Sequence, residues 1–172
     1  MAQETIPTKA EIVSMLKETG SEGVAKLRSL PAGVWEQGRY ENGWNARQIL
    51  AHIASIEWAY PRLIDVARDA ASPTPADSGA AASGSGAAQG GIDDYNTRQV
   101  AKRADASVTD LISEFEANRA KTVEAVAAAD DSLFTVPMRS AGGVSGPLAS
   151  VLNYIAVLHV AQHIKDIAGQ DA

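Results

Sequence analysis

Apolar residues recur at intervals of three and four positions in four separate blocks of this chain. This spacing places them along one side of an α-helix, so each block predicts an amphipathic helix. The blocks cover roughly residues 8–30, 45–70, 93–129 and 145–168. Aromatic residues make up only 5% of the sequence, so the core has to be built from aliphatic side chains, which suits packed helices better than strands. The pattern therefore predicts an all-α fold, a four-helix bundle.

Local signals refine these helices. Gly20 and Gly23 weaken the middle of the first helix, where we expect a kink. Pro61 should bend the second helix, because proline removes a backbone donor. Residues 107–110 resemble a capping box, which predicts an internal restart in the third block. Residues 133–138 suggest a short extended piece before the fourth helix.

A low-complexity segment separates the second and third blocks. Fifteen of the 20 residues from 72 to 91 are glycine, alanine or serine, which is too little apolar surface to order the segment. A flexible stretch of this length reaches about 25 Å, and a 20-residue helix is about 30 Å long. We therefore predict a long crossover loop between helices two and three, inside a single domain that spans residues 1–172.

Charge and composition exclude several classes of protein. The net charge of −6 and the lack of a basic cluster argue against a nucleic-acid partner. The chain has no cysteine, so disulfides and cysteine-bound metals are excluded, and thiol chemistry would need a thiol from outside the chain. No apolar run is long enough to span a membrane, and the start of the chain does not resemble a signal peptide. We expect a cytoplasmic protein with no membrane partner.

The chain has three histidines, and all three lie on predicted apolar stripes. His159 and His163 are four residues apart, so they point the same way from one helix. His52, from a facing helix, would complete a three-ligand set, which leaves a coordination position free for catalysis. The spacing alone leaves two readings open, a metal site and ordinary hydrogen-bonded core histidines. A metalloprotease helix is excluded because Val160 occupies the position of its glutamate base.

Four residues are weaker candidates for a binding site. Trp35 and Trp44 could line a pocket, although tryptophans more often fill a core or anchor a loop. Asn96 and Arg98 could hold a substrate carboxylate, although polar residues near a helix start more often cap it or face solvent.

Two acidic residues lie close in sequence to the histidines. Glu57 follows His52 by five positions, which rotates it about 140° away on a helix. This favours contact with solvent, or an indirect role behind the ligands, over metal ligation. Asp166 follows His163 by three positions and could orient its imidazole, with a surface ion pair as the alternative.

Three stretches resemble the DinB-like superfamily of metal-binding four-helix bundles, which includes mycothiol-dependent maleylpyruvate isomerase-like proteins. They are residues 44–52 at the start of helix two, 92–96 at the start of helix three, and 153–167 in helix four. The resemblance covers nearly the whole chain apart from the segment at 72–91. It implies a divalent metal held by His52, His159 and His163, with water or substrate in the open positions. In the isomerase branch a glutamate can occupy the position of His159.

The resemblance implies an enzyme in which the metal activates a low-molecular-weight thiol or a water against a small electrophilic substrate. Zinc or nickel suits three imidazoles, and manganese or iron is also compatible. A non-catalytic metal-binding or stress-response protein is the second hypothesis. In the third, the histidines only pack in the core and the protein works through an interface. A homodimer is compatible with all three, and no residue is assigned here as catalytic.

Overall fold

Helices dominate the computed structural model, which describes residues 6–38, 43–72 and 91–169. The helices are α1 (Lys9–Ser29), α2 (Ala46–Glu57), α3 (Pro61–Ala71), α4 (Gly91–Ala101), α5 (Val108–Ala128), α6 (Leu148–Leu152) and α7 (His159–Ala168). A π-helix over Asn153–Leu158, called here the π segment, joins α6 directly to α7. Short 3-10 helices span Ala32–Val34 and Asp131–Thr135. Strand β1 (Pro137–Arg139) pairs antiparallel with β2 (Ser145–Pro147).

The long helices pack as the predicted bundle. Helix α1 packs against α5 and α7, and α2 packs against the same two helices, while α4 covers another side of α2. The interior is mainly aliphatic, as the composition requires. Fully buried members include Ile12, Leu16, Ile49, Ile53, Leu111, Phe115, Val151, Val160 and Ile167. The four-helix architecture is confirmed, whereas the predicted crossover loop lies, apart from its end residues, outside the described residues.

The second predicted helix is broken, not bent. Helix α2 ends at Glu57, and α3 begins again at Pro61 after a short turn. Proline at the first position of a helix is tolerated because its missing N–H would have no partner there, but it cannot continue a helix from the preceding turn. The break leaves Tyr60 buried at the corner between the two helices.

Helix α1 runs without interruption from Lys9 to Ser29, so its glycines do not break it. Its two inner glycines are buried and lie against neighbouring helices. A Cβ atom at Gly23 would be 2.5 Å from Cδ1 of Ile164, and one at Gly20 would be 3.0 Å from Cγ of Arg119. These glycines therefore allow α7 and α5 to approach α1 closely.

The restart in the third block is confirmed. The Ser107 hydroxyl accepts a hydrogen bond from the N–H of Asp110, and the Asp110 carboxylate accepts one from the N–H of Ser107. This capping box begins α5, and six residues separate it from the end of α4. The extended piece predicted from residue 133 is shorter than expected, since residues up to Thr135 form a 3-10 helix and the strand begins at Pro137.

Candidate metal centre

The three histidines meet inside the bundle. His159 and His163 lie one turn apart on α7, and their Nε2 atoms are 2.8 Å from each other. His52 enters from α2, with its ring centroid 5.1 Å from that of His163 and 5.8 Å from that of His159. One nitrogen from each ring falls within 4.8 Å of the others. The packing of α2 against α7 thus brings together all three residues that the sequence singled out.

Burial keeps these imidazoles neutral. His52 and His163 are buried and His159 is half-buried. Burial, aided by the nearby His159, lowers the pKa of His52 to about 4. Burial also lowers the pKa of His163 to about 3, with His159 and His52 adding to the effect. Burial lowers the pKa of His159 as well, opposed by a hydrogen bond to the backbone of Ile155 and by Asp166. At neutral pH each ring therefore offers a lone pair.

The donor set fits a divalent metal ion. Nδ1 of His52 is buried and has no hydrogen-bond partner among the described residues. An unsatisfied buried polar atom is uncommon in a folded protein and calls for an explanation. A metal ion bound through Nδ1 would satisfy this atom, and three nitrogen ligands suit zinc and related ions.

Asp166 is the acidic neighbour of this histidine group. Its Oδ2 lies 3.5 Å from Nδ1 of His163, and its Oδ1 accepts a hydrogen bond from the Gln162 amide at 2.9 Å. A carboxylate behind a ligating imidazole fixes the orientation of the ring and makes it a better donor. The orienting role of Asp166 therefore stays a prediction.

The two candidate tryptophans lie in different surroundings. Trp44 is half-buried, its ring centroid is 5.4 Å from that of His52, and it lines a cavity of about 150 Å³ between α2 and α4. Trp35 is buried in the hydrophobic core. A larger cavity, about 470 Å³, lies between α1 and α5. Neither cavity is lined by a histidine.

Asn96 and Arg98 both lie on α4, outside the histidine group. Asn96 is half-buried and Arg98 is exposed. The α4 residues that line the smaller cavity are Thr97, Val100 and Ala101. A role for Asn96 and Arg98 in holding a carboxylate stays a prediction.

Glu57 does not face solvent, and that part of the expectation is wrong. Its side chain is fully buried, and its Oε2 lies 3.0 Å from Nη2 of Arg119, which is also buried. Burial raises the pKa of Glu57 to about 7, opposed by Arg119. Burial likewise lowers the pKa of Arg119, opposed by Glu57. Glu57 is not one of the grouped ligand residues, in agreement with its position on the helix.

Comparison with known proteins identifies the family. The family model described as the mycothiol maleylpyruvate isomerase N-terminal domain matches residues 14–166. The chain belongs to this family. Its members fall in the DinB-like superfamily that the sequence resembles.

Solved structures agree with the maleylpyruvate isomerase family in fold. The chain is similar to the crystal structure of the mycothiol-dependent maleylpyruvate isomerase, with a TM-score of 0.71 and 15% sequence identity. A crystal structure of a histidine-to-alanine mutant of that isomerase gives the same values. Each match covers 97% of this chain and 63% of the other, so the chain spans less than two thirds of the isomerase. No curated protein sequence matches the chain significantly.

Two residues that bond to the backbone before His159, Arg119 and Tyr60, were not singled out from the sequence. Arg119 occupies a position on the inner stripe of α5, between Phe115 and Val126, where apolar residues are expected. An arginine on such a stripe signals a buried acidic partner, which is Glu57. Tyr60 gives no comparable signal, because its position depends on the break between α2 and α3.

Among the described residues, none of the helices combines the length and the hydropathy that a membrane span requires.

Proposed function

We propose that this protein binds one divalent metal ion through His52, His159 and His163 and uses it to activate a low-molecular-weight thiol against a small electrophilic substrate. The observation that carries the proposal is the convergence of three neutral imidazoles from two helices within 4.8 Å. A single chain supplies all three, so the proposed site does not require a homodimer. The proposed functional unit is one domain covering residues 1–172.

Several residues of the chain would have distinct roles at the proposed metal site. The lowered pKa values of His52 and His163 leave their lone pairs available well below neutral pH. Asp166 would orient His163, and Trp44 would shield one side of His52 from water. When bound, a divalent ion acts as a Lewis acid and lowers the pKa of a coordinated thiol or water, so that a good nucleophile exists at neutral pH.

A thiol is favoured over water as the nucleophile. The family takes its description from a mycothiol-dependent enzyme, and this chain has no cysteine with which to supply a thiol itself. Zinc or nickel is the proposed metal, with manganese and iron as alternatives. Maleylpyruvate is the substrate of the similar isomerase. His159 stands where the isomerase branch can carry a glutamate, so we propose a broader class of substrates, small electrophiles.

The test compares thiol reactivity with and without the site. The zinc-loaded protein and mycothiol are mixed with one electrophile at a time. The three electrophiles are maleylpyruvate, monochlorobimane and 1-chloro-2,4-dinitrobenzene. We expect isomerisation or conjugation to be faster than with mycothiol alone. The acceleration should be lost in His52→Ala. It should be kept in the control Lys165→Gln, which changes an exposed residue on α7. If the wild-type protein holds zinc and accelerates none of these reactions, thiol activation is wrong.

A non-catalytic metal-binding or stress-response protein is the second candidate. It is favoured by one observation, that neither of the two cavities described above is lined by a histidine. In that case zinc binding would depend on the three histidines, while mycothiol would change neither the zinc affinity nor the rate of any reaction tested.

A further inference from the structure

A buried polar cluster contacts the backbone immediately before His159. In an α-helix the N–H of His159 would bond to the carbonyl of Ile155, but in the π segment it bonds to the carbonyl of Tyr154. The Ile155 carbonyl accepts a hydrogen bond from the Tyr60 hydroxyl at 2.8 Å, and the His159 side chain also bonds to the backbone of Ile155. A side chain from the turn between α2 and α3 therefore contacts a carbonyl of the wide turn.

Arg119 makes the second of these contacts. Its Nη1 donates a hydrogen bond of 2.8 Å to the carbonyl of Ala156, the next residue of the π segment. Its Nη2 lies 3.0 Å from the Glu57 carboxylate. The Thr122 hydroxyl donates to the backbone carbonyls of Glu57 and Asn118. Tyr60, from the turn between α2 and α3, and Arg119, from α5, thus hold adjacent carbonyls of one turn.

A cluster of this kind is costly to bury. A charged pair taken out of water is often no more stabilising than apolar residues of the same volume. A gain in stability therefore does not explain why an arginine and a glutamate are buried together here. Wide π turns occur frequently at functional sites, and here the residue that follows the turn is His159.

The turn sets the direction of both histidines on α7. Each added residue rotates the following part of a helix by about 100°. If the π segment relaxed to an α-helix, the side chains after it would turn away from α2, where His52 lies. The hydrogen bonds to Ile155 and Ala156 therefore act on the alignment of His159 and His163 with His52.

We propose that Tyr60 and Arg119 are positioning residues, which hold the π segment in its wide form and thereby aim His159 and His163 at His52. Glu57 holds Arg119 in place. This inference deepens the proposed metal site and rests on it for its functional meaning. The alignment of the imidazoles is a property of the metal-free protein and can be measured separately.

The test uses Tyr60→Phe, which keeps the ring and removes the hydroxyl, with Tyr154→Phe as the matched control. Tyr154 lies in the same π segment, but its side chain is exposed. The first readout is the set of ring ¹⁵N resonances of the histidines in the metal-free protein. The second is the affinity for Co²⁺, followed by the visible absorption of the bound ion.

We expect Tyr60→Phe to shift the His159 and His163 resonances and to weaken Co²⁺ binding by about 10-fold, the usual size of such indirect effects. The Co²⁺ spectrum should change, whereas Tyr154→Phe should alter neither readout. If Tyr60→Phe fails to fold, Arg119→Lys takes its place in the test. This variant keeps the charge beside Glu57 and should weaken Co²⁺ binding similarly.

Unchanged imidazole resonances together with Co²⁺ binding within twofold of wild type would reduce Tyr60 to a structural role and overturn the inference. If the wild-type protein binds no Co²⁺, the proposed metal function fails, and the ¹⁵N resonances still decide whether Tyr60 aligns the histidines.

Discussion

Burial determines the protonation state of the individual histidines at this site. A histidine in water has a pKa near 6.5, at which half of its molecules are charged. Inside the bundle the pKa of His163 falls to about 3 and that of His52 to about 4, mainly because burial penalises the charged ring. The same burial that makes the imidazoles good ligands makes the metal-free protein sensitive to acid.

We predict how this sensitivity appears in the metal-free protein. The folded pKa of His163 lies below its unfolded value, so its contribution to stability is complete above about pH 6.5 and is lost as the pH falls towards 3. Between pH 7 and pH 5 the wild type should lose ~2 kcal/mol more unfolding free energy than His163→Gln. The raised pKa of Glu57 changes stability with pH in the opposite direction. Because Glu57 is present in both proteins, its contribution cancels in the difference between them.

Denaturant unfolding of both proteins at the two pH values measures this difference. Equal losses in wild type and His163→Gln would mean that His163 is not held neutral by burial.

The sequence indicated the three proposed ligands more readily than the residues around them. The spacing of His159 and His163 is a local property of one helix, so it can be read directly. The proximity of His52 to these two histidines depends on how α2 packs against α7. It was inferred from the resemblance to the DinB-like superfamily. Tyr60 could not be found, because its position is set by a helix break that the sequence suggested only as a bend.

At the scale of secondary-structure elements, close contacts between helices decide what individual residues do. Helix propensity alone suggests that Gly23 weakens α1, and it gives no information about the neighbour on α7. The structure places Ile164 where a Cβ atom of residue 23 would be. Capping signals were more reliable, as the start of α5 at Ser107 shows, because a cap is made within a few residues of sequence.

We predict that Gly23→Ala lowers the unfolding free energy by about 1 kcal/mol, because the crowding costs more than alanine's higher helix propensity gains. In an Ile164→Val background, which removes the Cδ1 atom in contact, the same change should be neutral or stabilising. Thermal or denaturant unfolding of the four proteins of this cycle measures the coupling. An equal effect of Gly23→Ala in both backgrounds would show that the Ile164 contact does not explain the glycine.

At the scale of the whole molecule, the fold was the most predictable feature. Four amphipathic blocks with few aromatic residues leave little choice but a helical bundle, and the helices pack in that way. The detail that matters most for the site, the π segment before His159, has no local sequence signature in this chain. It depends on Tyr60, from the turn between α2 and α3, and on Arg119, from α5.

The central claim is that the three histidines hold a metal, and the most direct test is elemental analysis of the purified protein after zinc loading and desalting. We expect about one zinc per chain in the wild type, as for a three-histidine site. The triple variant His52→Ala, His159→Ala, His163→Ala, checked for folding by circular dichroism, should hold none. No zinc in the wild type, or equal zinc in a folded triple variant, would contradict the account.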